Sequence, residues 1–229
     1  MQLCVNGHGK PWLVGPDGGP SPLRFSLAHA PGALLLALSA DGHLGCDVEP
    51  RGRASRGARD STQRRARRYF SASETAALEA LSDPAERRVR FMELWTLKEA
   101  YVKALGRGIA AAPLSTFSVA LEGPAQRSIS LQLAEGARHS VAAAGEGQQG
   151  EGGAASEGAA DWRFCLLRLG AQGEPAHLAA LCCAGTRQLQ LRVWRTRLRV
   201  WEREADSVEV SLLAEGTSEA PRAAAAALL

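Results

Sequence analysis

Two acidic side chains stand one residue apart in the segment GCDVEP, at residues 45–50. This segment is predicted as a β-strand, on which side chains two residues apart point to the same face. Asp47 and Glu49 therefore project together, while Cys46 and Val48 project to the opposite face. Adjacent carboxylates repel each other, so the pair indicates a cation between its arms, and oxygen-only ligands favour Mg²⁺ or Mn²⁺. The alternative is a solvated strand end with two ordinary acids.

A second charged group follows in WTLKEAYVKALG, at residues 95–106. At about 100° per residue, Glu99 falls at the edge of an apolar helical stripe, where a carboxylate is partly buried. Lys103 follows Glu99 by one helical turn, the favourable order for an ion pair, so an ordinary surface pair is one interpretation. If Glu99 instead meets the acid pair of residues 45–50, the three carboxylates complete a Mg²⁺ site. Metal plus lysine is the usual equipment for binding a pyrophosphate.

The helices that position these residues have clear start and stop signals. Ser71 and Glu74 predict a capping box at the start of one helix. Asp83, with a proline directly after it, predicts the start of a second helix over about 84–105. Gly106 is the natural stop of that helix. Glu99 and Lys103 therefore lie in its last two turns.

The remaining elements are predicted as strands, which makes the chain an α+β protein. Residues 34–48 are predicted as a β-hairpin with Asp41-Gly42 in its turn. Residues 143–160 are almost all Gly, Ala, Glu, Gln and Ser, so a flexible insertion is expected there. Further strands are predicted from alternating or apolar composition at 116–122, 128–133, 162–169 and 177–184.

Composition excludes some classes of protein. The chain has 229 residues and a formal net charge of +3, which does not by itself indicate a nucleic-acid partner. No apolar run approaches the roughly 20 residues that span a bilayer. The five cysteines form no CxxC pair, and buried free thiols are the simplest interpretation. We therefore expect a reducing, cytoplasmic environment.

Four sequence blocks together resemble one enzyme family. GCDVE followed by WTLKEAYVKALGRG resembles the paired signature of the 4′-phosphopantetheinyl transferases. GKPWL at 9–13 and FSLAHA at 25–30 resemble blocks of the larger, surfactin-synthetase-activating (Sfp) type of that family. The order and spacing of the four blocks agree with the family, and the resemblance covers about residues 6–184.

The resemblance implies a fold and an activity. The family fold normally has two pseudo-symmetric α+β halves, with coenzyme A in the cleft between them. Its members transfer the 4′-phosphopantetheine arm of coenzyme A to a serine of an apo carrier protein and release 3′,5′-ADP. The chain would therefore be a Mg²⁺-dependent holo-[acyl-carrier-protein] synthase. Whether the carrier serves fatty-acid, polyketide, peptide-synthetase or lysine-pathway chemistry stays open.

The resemblance also implies a role for each matching residue of the two main motifs. Asp47, Glu49 and Glu99 would hold Mg²⁺ on the pyrophosphate of coenzyme A. Glu99 would also accept the serine proton, directly or through water. Lys103 would stabilise the charge of the pyrophosphate and of the leaving 3′,5′-ADP.

Three further residues are implied to bind the co-substrate. Lys10 and His29 would contact phosphates of coenzyme A, and Lys98 would support the same site. From the residues alone, a turn histidine before Pro31 is the favoured explanation of His29. The block at 25–30 also departs from the family pattern, because Ser26 replaces an asparagine and Ala28 replaces a serine.

The domain organisation expected from the resemblance is asymmetric. Residues 1–24 would be a remnant of the N-terminal half, carrying the GKP loop, so the first half is expected to be largely missing. Residues 25–184 would form the C-terminal half, with the flexible insertion inside it. Residues 185–229 form a basic, low-complexity tail that stays unassigned.

Other functions remain open on composition. Residues 51–68 are crowded with arginine, and LRVWRTRLRVW at 191–201 interleaves tryptophan with arginine. These segments would suit a module that binds nucleic acid or an acidic partner. They also suit a docking patch for an acidic carrier protein, or a merely solvated surface. A catalytically impaired fragment is a further alternative.

Overall fold

The computed structural model has a mixed α+β architecture. None of the helices it describes is long and apolar enough to cross a membrane. The predicted insertion at 143–160 lies outside the described residues. The structure describes residues 2–40, 42–51, 61–123, 127–133, 162–170, 177–184, 191–196, 205–207 and 210–217.

The two predicted helices are confirmed, and their ends match the capping signals. Ser71 caps the helix over Ala72–Glu79 through a reciprocal capping box with Glu74. Asp83 accepts a hydrogen bond from the amide of Ala85 at the start of the helix over Pro84–Leu105. Gly106 ends that helix with φ 71°, a left-handed conformation that favours glycine. The helices are α1 (Ser61–Tyr69), α2 (Ala72–Glu79), α3 (Pro84–Leu105) and the short α4 (Gly108–Ala111), followed by a 3₁₀ turn at Leu114–Thr116.

The strands of the described residues are β1 (Gln2–Val5), β2 (Pro11–Val14), β3 (Arg24–Ala30), β4 (Ala33–Ser39), β5 (Leu44–Pro50), β6 (Phe117–Glu122), β7 (Arg127–Leu133), β8 (Trp162–Leu169), β9 (His177–Ala184), β10 (Trp194–Thr196), β11 (Ala205–Ser207) and β12 (Val210–Thr217). They form one six-stranded sheet and three two-stranded pairs. The large sheet has the order β5-β9-β8-β12-β7-β6, and its β12–β7 pair is parallel while its other pairs are antiparallel. The four strands predicted between 116 and 184 are confirmed as β6 to β9.

The predicted hairpin over 34–48 is wrong. β4 pairs with the preceding strand β3, and a two-residue turn at Pro31-Gly32 joins them. Gly32 has φ 81°, which suits such a tight turn. β5 pairs instead with β9 at the edge of the large sheet. The physical reason is burial: most of β5 is buried, whereas β4 has one face in solvent.

Helix α3 packs across the large sheet and approaches β5 at backbone distance. A Cβ atom added at Gly45 would lie 2.0 Å from the carbonyl oxygen of Ala100 and 2.3 Å from the amide nitrogen of Ala104. Only glycine allows this approach, which explains the glycine two residues before Asp47. The close contact sets the strand that carries the acid pair directly against the helix that carries Glu99.

Candidate active site

Strand β5 and helix α3 bring the main predicted residues together. Cys46 and Val48 join the apolar cluster that includes the β3–β4 hairpin, so alternation turns Asp47 toward α3. The Nζ atom of Lys103 lies 2.7 Å from Oδ1 of Asp47. The ion pair considered from sequence, Glu99 with Lys103, is thus replaced by a pair between helix and strand.

The three carboxylates lie close enough to affect one another. Burial raises the pKa of Asp47 to about 6, opposed by the charge and hydrogen bond of Lys103. Burial also raises the pKa of Glu99 to about 7, and the charges of Asp47 and Glu49 raise it further. The negative charges of Asp47 and Glu49 thus disfavour the charged form of Glu99, a repulsion that a bound cation would relieve.

The types of the donor atoms, but not their present spacing, suit a hard divalent cation. No three His, Cys, Asp or Glu side chains in the described ranges stand close enough together to hold a metal ion as they are placed. However, Oδ2 of Asp47 is buried and has no hydrogen-bond partner among those residues. A buried carboxylate oxygen without a partner is costly unless a ligand satisfies it. Together with the carboxylates of Glu49 and Glu99, it offers the all-oxygen set that Mg²⁺ prefers.

Glu99 and Lys103 open into a cleft of ≈ 410 Å³. This volume lies in the range of sites for small organic ligands and cofactors. The loop between β1 and β2 forms one side, strand β3 forms the base, and the end of α3 forms the other side. The cleft is lined by His8, Gly9, Lys10, Pro11, Phe25, Ser26, Leu27, Glu99, Val102, Lys103, Gly106, Gly108 and Ile109.

Lys10 reaches this cleft, but backbone carbonyls hold its ammonium group. Nζ donates to the oxygen of Leu44 at 2.9 Å and to the oxygen of Ala104 at 3.2 Å. Burial lowers its pKa to about 8. The side chain therefore lines the same cleft as Lys103 and Glu99, but its hydrogen bonds in this structure are to the protein itself.

His29 lies on strand β3 and not in a turn. Its side chain is exposed, and it alternates with the buried Ser26 and Ala28. Phe25 and Leu27 on the same face line the cleft, but His29 does not. Ser26 accepts a hydrogen bond from the amide of Cys46, so this departure from the family pattern joins β3 to β5.

Lys98 does not line the cleft, so the position of its side chain gives no support to the predicted role in binding coenzyme A. Its side chain is fully buried, and Nζ lies 2.6 and 2.7 Å from the two carboxylate oxygens of Glu74. Nζ also donates to the oxygen of Phe117 at 2.6 Å. One residue of helix turns a side chain by about 100°, which takes Lys98 away from the direction of Glu99.

Two residues with important contacts were missed by sequence reasoning. Glu74 was identified only as half of a capping box, a local pattern that does not reveal its partner on α3. Asn6 is buried, and its amide donates to the oxygen of Gly106, 100 residues away. The Asn-Gly pair at 6–7 marks a turn, but no local signal indicates what that turn contacts.

An α+β fold with Glu99 and Lys103 in a cleft, and Asp47 beside them, has the residue types of a phosphoryl-transfer site. Residues 43–155, which carry both main motifs, match the family model of the 4′-phosphopantetheinyl transferase superfamily. Over this segment the chain is thus similar to that superfamily.

Individual relatives agree with the family match. The 4′-phosphopantetheinyl transferase AcpT of Salmonella typhimurium is 36% identical over 102 residues, 41% of this chain and 48% of the relative. The 4′-phosphopantetheinyl transferase HetI of a Nostoc species is 32% identical over 110 residues, 48% of this chain and 44% of the relative. The 4′-phosphopantetheinyl transferase of Bacillus subtilis is 30% identical over 132 residues, 57% of this chain and 52% of the relative. The chain spans about half the length of the curated relatives it matches.

Proposed function

We propose that this chain transfers the 4′-phosphopantetheine arm of coenzyme A to a serine of an apo carrier protein and releases 3′,5′-ADP. The observation that carries the proposal is the Asp47–Lys103 pair beside the cleft, in which one carboxylate oxygen of Asp47 has no hydrogen-bond partner within the described part of the chain. This pair lies within the segment that is similar to the transferase superfamily.

The residues in and beside the cleft suit each part of that reaction. Asp47, Glu49 and Glu99 would hold Mg²⁺, which when bound neutralises pyrophosphate charge. The serine oxygen forms a bond to the phosphorus that carries the pantetheine arm, and the bond from that phosphorus to the ADP oxygen breaks. Glu99 takes the serine proton, directly or through water. Lys103 stabilises the negative charge that remains on the leaving phosphate.

The acceptor is proposed to dock beside α1. Arg64, Arg65 and Arg68 are exposed on this helix. The guanidinium carbon of Arg65 lies 4.9 Å from the ring centroid of Trp95, which precedes Glu99 by one turn of α3. A basic surface next to the site suits an acidic protein partner, for which charge mainly accelerates association.

The experiment is a transfer assay with the full chain, coenzyme A and Mg²⁺. Apo carrier proteins of fatty-acid, polyketide, peptide-synthetase and lysine-pathway type are the acceptors, and mass spectrometry detects the added arm. We expect transfer to at least one carrier and loss of transfer when EDTA removes the metal. Failure with every carrier would contradict the proposal.

Charge reversal at Arg64 and Arg68 tests the docking surface. It should slow transfer, and the rate should fall more at low salt than at high salt.

If those two arginines instead serve nucleic acid, their charge reversal would leave transfer unchanged. The same variant would abolish a salt-sensitive gel shift with RNA or DNA. This outcome would favour the basic binding module considered from sequence.

A further inference from the structure

The loop between β1 and β2, residues 6–10, is built around the side chain of Asn6. Oδ1 of Asn6 accepts hydrogen bonds from the amides of His8 at 3.0 Å and Lys10 at 2.9 Å. Nδ2 donates to the oxygen of Gly106 at 2.9 Å, just beyond the end of α3. One buried amide therefore shapes the loop and attaches it to the helix that carries Glu99 and Lys103.

Lys10, at the end of this loop, joins the two elements that carry the site. Its ammonium group bridges the oxygen of Leu44 on β5 and the oxygen of Ala104 on α3. Leu44 lies three residues before Asp47, and Ala104 directly follows Lys103. The bridge therefore connects the strand that carries Asp47 to the last turn of α3. Gly45 allows the backbones of these two elements to pack closely there.

We propose that Asn6 and Lys10 are positioning residues that set the separation between the Asp47 and Glu99 carboxylates. This inference rests on the proposed function, because that separation matters only if the acids share a cation. It differs from the role implied by resemblance, in which Lys10 contacts a phosphate of coenzyme A. A lysine whose ammonium serves two protein carbonyls acts on the site through β5 and α3.

Two variants separate the positioning role from phosphate binding. Lys10→Met keeps the apolar stem and removes the bridge. Asn6→Asp keeps the oxygen that shapes the loop and removes the donor to Gly106. Loss of residues that support metal ligands typically weakens metal affinity or activity by about 10–100-fold. We expect both variants to raise the Mg²⁺ half-saturation and lower kcat by about 10-fold, at the lower end of that range, with KM for coenzyme A little changed.

The matched control is Leu3→Ala, in the same β-hairpin. Leu3 is 60% exposed, so this change should leave Mg²⁺ half-saturation, kcat and KM as in the unmodified chain. The proposal is overturned if Lys10→Met raises KM for coenzyme A while kcat and the Mg²⁺ response stay unchanged. That result would identify Lys10 as a phosphate ligand.

A second readout does not depend on catalysis. Binding of Mn²⁺, followed by electron paramagnetic resonance, should weaken by about 10-fold in both variants. Amide hydrogen exchange should become faster in residues 44–49 and 102–106 of both variants but not of Leu3→Ala. Unchanged exchange in these two segments would overturn the proposal even if the unmodified chain transferred nothing. If the unmodified chain transfers no arm but amide exchange is faster in both variants, the result contradicts the proposed function and leaves the positioning role supported.

Discussion

Two lysines of α3 each meet a carboxylate from another element, and the two pairs differ in how completely they are satisfied. The side chains of Lys98 and Glu74 are 0% and 2% exposed. Beyond the lysine, Glu74 accepts hydrogen bonds from the amides of Ser71 and Val119. The side chains of Lys103 and Asp47 are 34% and 9% exposed, and Oδ2 of Asp47 has no partner among the described residues.

The difference separates a structural ion pair from one that can accept a ligand. A buried pair repays its desolvation only when the remaining hydrogen bonds are also made, and the Lys98–Glu74 pair makes them. The Lys103–Asp47 pair leaves an oxygen unsatisfied next to a cleft, where charged groups with shifted pKa values tend to mark function. Two lysines of one motif therefore have different surroundings, and only Lys103 lies where a ligand could reach it.

The largest effect on stability is expected from Lys98→Met. Removing the ammonium leaves Glu74 buried without its counter-charge, which costs about 3–5 kcal/mol of unfolding free energy. Guanidinium unfolding measures this loss. Lys98→Met combined with Glu74→Gln should recover part of it, because glutamine is neutral and can still complete the capping box. A loss below about 1 kcal/mol for the single change would show that the pair is not structural.

Gly45→Ala tests the close approach that places Asp47 against α3. The new Cβ would overlap the backbone of Ala100 and Ala104, and overpacking of this kind costs about 1–3 kcal/mol. Thermal and denaturant unfolding measure the effect. Gly9→Ala is the control, because no atom lies within 4 Å of the added Cβ. Any loss of unfolding free energy at Gly9 therefore reflects only its φ of 84°. Equal losses at the two glycines would contradict the packing argument.

A smaller effect is expected from Ser71→Ala. Serine caps α2 and also donates to Glu74, so its removal should cost about 1 kcal/mol. Asp83→Ala is the matched control, because it removes the cap of α3 without touching an ion pair. In a variant that already lacks Lys98, the loss of unfolding free energy caused by Ser71→Ala should change. The loss caused by Asp83→Ala should stay the same. If the losses of unfolding free energy of both capping variants simply add to that of Lys98→Met, capping and ion pairing are independent.

An effect about as small as that of Ser71→Ala is expected from Lys103→Met. Lys103 is 34% exposed and Asp47 is 9% exposed, so the loss of unfolding free energy should lie near the upper end of the range of about 0–1 kcal/mol for exposed pairs. The same variant should nevertheless lose most of its transfer activity. Denaturant unfolding and the transfer assay, run on one preparation, compare the two quantities. A loss of stability as large as that of Lys98→Met would remove the distinction between the pairs.

The parts of the fold that the sequence predicts well depend on local signals. The bounds of α3 follow from Asp83, the proline after it and Gly106, all within one helix. The pairing of β3 with β4, and the place of β12 inside the large sheet, depend on contacts between distant segments. β4 pairs with β3 and not with β5 because β5 is buried at the edge of the large sheet. A local hairpin pattern does not indicate which strands will be buried.

The candidate site shows the same division. Asp47 and Glu49 were placed on one face by strand alternation, which is a local rule. Lys98 was assigned to the cofactor by its position in a motif, but a motif does not specify what covers each face of the helix. Asn6 bonds across 100 residues to Gly106, and neither residue alone indicates the other.

The proposed function places the reaction on the side of α3 that faces Asp47. Its most direct test measures arm transfer to an apo carrier protein by the unmodified chain and by Asp47→Ala, across a Mg²⁺ titration. Because metal stabilisation of transition-state charge contributes several kcal/mol, we expect a rate loss of about 10²–10³-fold or more, with thermal stability retained. Transfer by Asp47→Ala at the unmodified rate, at limiting Mg²⁺, would contradict it.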